Sequence, residues 1–67
     1  MMVFLPLAIL EEISEADEPD AAFAHYLRSQ LKVPAAVGEH GIHATRGRLT
    51  MKSLDSGDVR ILYHEVH

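Results

Sequence analysis

The residues best suited to chemistry in this 67-residue chain are its five histidines. Four of them form two His-x-x-His pairs, His40 with His43 and His64 with His67. Neutral imidazole suits zinc, copper or nickel, and a site for one of these needs three or four ligands converging at about 2 Å. Glu39 and Glu65 adjoin the pairs. On an extended strand, however, residues three apart point to opposite faces, so neither pair offers two ligands to one ion. No metal site is expected. Thiolate sites and disulfides are excluded outright, because the chain has no cysteine.

Covalent and acid–base chemistry find no better footing. Ser14, Ser29, Ser53 and Ser56 stand outside any Gly-x-Ser-x-Gly elbow. Gly38, Gly41 and Gly47 do not make a dinucleotide or phosphate-loop fingerprint. General acid–base work needs a concave, partly dry pocket, for which so short a chain has little room. The chain is therefore read as a non-enzyme with no catalytic residues and no cofactor.

Charge points instead to binding. The net charge is −4, and it is unevenly laid out: Glu11, Glu12, Glu15, Asp17, Glu18 and Asp20 all precede the first basic residue, Arg28. The exposed acidic edge of the first helix, Glu11, Glu12 and Glu15, is the expected contact with a basic site on a protein partner. Arg46, Arg48 and Lys52 are read as sharing one face of a strand, which opens a nucleic-acid alternative. Helix–helix–hairpin is the order of a reduced winged helix–turn–helix, with Pro34 to His40 as a truncated recognition helix and Asp55–Asp58 as the wing tip. Against it, that segment has no Arg, Lys, Asn or Gln to read base edges, and the tip would turn two aspartates toward phosphates.

These residues must be positioned by elements legible from the pattern. Arg48 to Leu54 and Val59 to Val66 flank Asp55-Ser56-Gly57-Asp58 and read as a β-hairpin. Pairing Leu54 with Val59 sets Lys52 opposite Ile61, Thr50 opposite Tyr63 and Arg48 opposite Glu65. The other face then carries Leu49, Met51, Leu62 and Val66, where the helices are expected to pack. The second strand is apolar on both faces and wants a central place in a sheet. Met2 to Leu5, ended by Pro6, is the natural further neighbour. The spacing of Ile9, Leu10, Ile13 and Ala16 predicts a first helix, and Phe23, Tyr26, Leu27 and Leu31 a second, over Pro19 to Lys32. Pro34 to Val37 reads as one more helical turn, ended by Gly38.

The whole is expected to be a single α+β domain over 1–67, of βααββ type, with two helices packed on a short antiparallel sheet ending in a C-terminal β-hairpin. So small a core without staples favours oligomerisation. A homodimer burying Val59, Ile61 and Tyr63 is the expectation. The apolar run Met1 to Leu10 has no basic n-region and is too short to span a bilayer, so no membrane role and a cytoplasmic location are expected. The function read from the sequence is a small non-enzymatic protein-binding module, a homodimeric inhibitor or regulator of a partner protein.

Overall fold

The computed structural model describes residues 1–66, in the order β1 (Met2–Leu5), α1 (Leu7–Ser14), α2 (Pro19–Gln30), β2 (Ala35–Gly38), β3 (Gly41–Ala44), β4 (Arg48–Ser53) and β5 (Val59–His64). The class is α+β. Antiparallel strands in the order β1-β5-β4 form one sheet, and β2-β3 form a second. β5 is central, as expected, and β1 is its second neighbour.

The hairpin register differs by one residue from the sequence expectation. Ser53, not Leu54, lies opposite Val59, so Lys52 faces Arg60, Met51 faces Ile61 and Arg48 faces His64. The turn explains the difference. Gly57 N–H donates to the Leu54 carbonyl (3.0 Å), Leu54 N–H donates to the Asp58 carbonyl (2.9 Å), and Gly57 has φ +95°. This is a tight turn over Leu54–Gly57 whose last residue is the left-handed Gly57, the commonest three-residue hairpin loop, and it uses Asp58 as a paired residue.

A one-residue slip exchanges partners across the ribbon and changes which side chains share a face. In the observed register Leu49 and Met51 lie on the same face as Val59, Ile61 and Tyr63, together with Val3 and Leu5 of β1. That face is covered by the helices. Leu5, Leu27, Val33, Ala35, Ile61 and Tyr63 form the buried cluster, and Ile9, Leu10, Ile13 and Phe23 pack against it. Leu62, expected under the helices, is on the opposite face and 46% exposed.

The segment Pro34 to Val37 is also corrected. It forms no helical turn: β2 and β3 make a second hairpin around Glu39 and His40. Its two ends are tied down by polar bonds. The Arg28 guanidinium donates to the Ala35 carbonyl (2.8 Å), and Thr45 N–H donates to the Pro34 carbonyl (2.8 Å). Before it, Lys32 adopts φ +57°, a left-handed conformation that turns the chain out of α2 and lets Val33 N–H reach back to the Leu27 carbonyl.

Helix α1 starts at Pro6, which has no capping side chain. The cap comes from far away in sequence: Leu7 N–H donates to the Asp58 carboxylate (3.1 Å) in the β4–β5 turn. Removing such an acceptor from a helix N-terminus typically costs ~1 kcal/mol. Asp58→Ala is therefore expected to lower the unfolding free energy by about 1 kcal/mol and Asp58→Asn by less, as read by thermal melts.

Candidate protein-binding surface

Among the described residues, none forms a layer on the outward face of the β1-β5-β4 sheet. Met2 and Phe4 on β1 are 56% and 55% exposed, and Leu62 beside them on β5 adds a third apolar side chain. Toward β4 the face becomes basic. Arg60, Lys52 and Arg48 alternate outward with Thr50 and His64. None of the three strands contains an Asp or Glu, so the cations of this face meet no carboxylate within the sheet.

The chain's six basic residues thus divide into two groups. Arg48, Lys52 and Arg60 lie on the outer sheet face. Arg28, Lys32 and Arg46 line an open groove of about 690 Å³ with Val33, Pro34, Thr45 and Glu65. Within it Arg46 and Glu65 form an exposed ion pair at 3.6 Å. The grouping Arg46, Arg48, Lys52 expected from the sequence is therefore split: Arg48 and Lys52 stay together, Arg46 sits before β4, and Arg60 takes its place. Glu65 pairs with Arg46 rather than with Arg48. Arg60 joins Lys52 only in the observed register, where the two lie opposite each other; pairing Leu54 with Val59 puts Arg60 on the other face from Lys52.

The residues expected at a dimer interface are corrected. Ile61 is fully buried and Tyr63 nearly so within one chain, and Val59 packs against the same cluster. Their face is already covered by the chain's own helices. The Tyr63 hydroxyl is also committed, donating to the Arg46 carbonyl. Glu11, Glu12 and Glu15 are exposed on and just after α1, as the helical pattern implied.

Among the described residues the histidines do not gather, and His25 lies on α2. His40 is in the β2–β3 turn, His43 is on β3 with its ring against Gly38, and His64 stands beside Arg48. His67, the last of the spaced pairs, lies outside the described residues. Among the described residues no three His, Cys, Asp or Glu side chains are placed to hold a metal ion. Also among them, no helix is long and apolar enough to cross a membrane. The segment expected as a winged-helix recognition helix, Pro34 to His40, is strand β2 and its turn. Compared with protein-family models, curated proteins and solved structures, the chain has no match.

Proposed function

We propose that the protein is a small non-enzymatic protein-binding module, a homodimeric inhibitor or regulator that occludes a surface of a partner protein. The observation that supports this best is the uncovered outer sheet face, where Met2, Phe4 and Leu62 adjoin Arg48, Lys52 and Arg60. An apolar centre beside a charged margin is the anatomy of a protein interface. Single exposed apolar residues need no explanation, whereas three adjoining on one face support a contact there. The partner surface that complements it is apolar and acidic. The acidic edge of Glu11, Glu12 and Glu15 is a second surface, on the helix layer that covers the opposite side of the sheet.

The two surfaces are separated by affinity capture from native host extract with three baits. Wild-type protein should retain a defined set of proteins. Leu62→Glu with Arg60→Glu should lose them, whereas Glu11→Lys with Glu12→Lys should keep them. Loss only with the helix variant would move the contact to α1. Equal retention by all three would overturn the reading. Retention of nucleic acid that fades steeply with salt would instead favour the nucleic-acid alternative, carried by Arg48, Lys52 and Arg60.

A further inference from the structure

The two edges of the β1-β5-β4 sheet are unlike. β4 carries Arg48 and Lys52, charges of the kind that keep an edge from pairing with another chain. β1 is Met-Val-Phe-Leu, with no charge, proline or bulge. Its hydrogen-bonding pattern can be followed residue by residue. Met1 and Tyr63 exchange both backbone bonds, at 2.8 Å each. In an antiparallel ladder such pairs alternate, so Val3 with Ile61 and Leu5 with Val59 also bond inward. The N–H and C=O groups of Met2 and Phe4 therefore point to the open edge.

We propose that this edge binds the β1 of a second copy, antiparallel about a two-fold axis at Val3, making one six-stranded sheet. Only outward-pointing groups can exchange bonds, so Met2 meets the partner's Phe4 and Phe4 meets the partner's Met2. That register centres the axis on Val3 and gives the longest overlap the strand allows. It is also self-complementary, which a two-fold contact requires.

The charges choose this arrangement over face-to-face stacking. Stacked sheets lie about 10 Å apart, and stacking about an axis across the strands would set β4 and β5, which carry Arg48, Lys52 and Arg60, against their own copies. Joined edge to edge at about 4.8 Å per strand, the two β5 strands are about 14 Å apart and the two β4 strands about 24 Å. Both separations are wider than the stacking distance, and screening at physiological salt, with a length of about 8 Å, weakens the repulsion further. Meanwhile Met2, Phe4 and Leu62 of both copies merge into one central apolar strip, with the cations at its margins. The pairing stands on the backbone and charge pattern alone. Only the use of the merged strip as a docking face rests on the function proposed above.

The test exploits the absence of native cysteine. Val3 opposite the partner's Val3 is a non-hydrogen-bonded pair, with Cα atoms about 4.5 Å apart and within disulfide reach. In glutathione buffer at about 10 µM protein, Val3→Cys should form a covalent dimer about a hundredfold faster than Thr50→Cys on the opposite edge, because the paired thiols meet at an effective millimolar concentration. Wild-type protein should sediment at twice the 7.5 kDa chain mass. Phe4→Lys, a change at an exposed side chain, should sediment as a folded monomer with an unchanged far-ultraviolet spectrum. A wild-type monomer up to millimolar concentration, or equal crosslinking of the two cysteine variants, would overturn the pairing. If capture still depends on Leu62 in such a monomer, the docking reading stands alone. If Val3→Cys crosslinks but capture ignores Leu62, the pairing stands and the docking reading fails.

Discussion

Ile61→Ala should remove on the order of 2–5 kcal/mol of stability, while Leu62→Ala, one residue later, should remove less than about 1 kcal/mol. Ile61 has no exposed surface, lies on the central strand and packs in the cluster with Leu5, Leu27 and Tyr63. Its truncation leaves a cavity between sheet and helices, whose surroundings relax only in part. Leu62 is 46% exposed on the uncovered face and loses little on truncation. Since the total stability of a small domain is only about 5–15 kcal/mol, the first variant should show a large drop in its denaturation midpoint. Melts must be run at matched concentration, because an associating protein melts by mass action. Equal effects would mean that the helices cover the other face.

Gly47→Ala should be as damaging, by a different route. Gly47 has φ +89°, and a Cβ there would stand 2.3 Å from the His64 carbonyl oxygen and 3.0 Å from Glu65 Cα. Those atoms are backbone at the end of β5, so relief requires moving the strand. Left-handed strain costs roughly 1–2 kcal/mol for a residue with a side chain, and the clash adds to it. A loss of about 3 kcal/mol or more is expected. Gly41→Ala supplies the control. Gly41 has φ +98° but nothing within 4 Å of its Cβ position, so only the conformational share, about 1–2 kcal/mol, should appear. Denaturant melts of the pair separate steric from conformational cost. Equal losses would show that β5 yields at His64.

Much of the fold was legible because its elements carry strong patterns. The period-2 run of Val59, Ile61 and Tyr63 marks a strand, and its further apolar residue, Leu62, demands a central place. The stripe of Phe23, Tyr26 and Leu27 marks α2. What escaped was decided by single bonds in turns. Whether Asp58 belongs to the turn or to the ladder is fixed by the Leu54 N–H to Asp58 carbonyl bond, and composition cannot tell the two apart. That one residue inverted the face expected to meet the helices, and with it the candidate interface. The β2–β3 hairpin escaped for another reason. Ala35, Ala36 and Gly38 have weak strand preference, and Arg28 and Thr45, which hold its ends, act from outside the segment. The exposure of Glu11 and Glu12 was legible because it follows directly from the helix period, and Glu15 is exposed just past the end of α1.

The position of β5 also governs how the molecule can be made. It is the middle strand of its sheet, yet it follows every other element of the fold along the chain. A nascent polypeptide emerging in order presents β1, both helices and the β2–β3 hairpin before the strand that unites them exists. Until Val59–His64 appears, β1 has no neighbour and the apolar sides of the helices have no sheet to cover. Pairing β1 with β5 then closes a loop of more than fifty residues, the kind of long-range contact that slows folding. Acquisition of structure should thus be a late, all-at-once event. A chain arrested before Val59 would leave its apolar strand and helix faces open to chaperones or to aggregation.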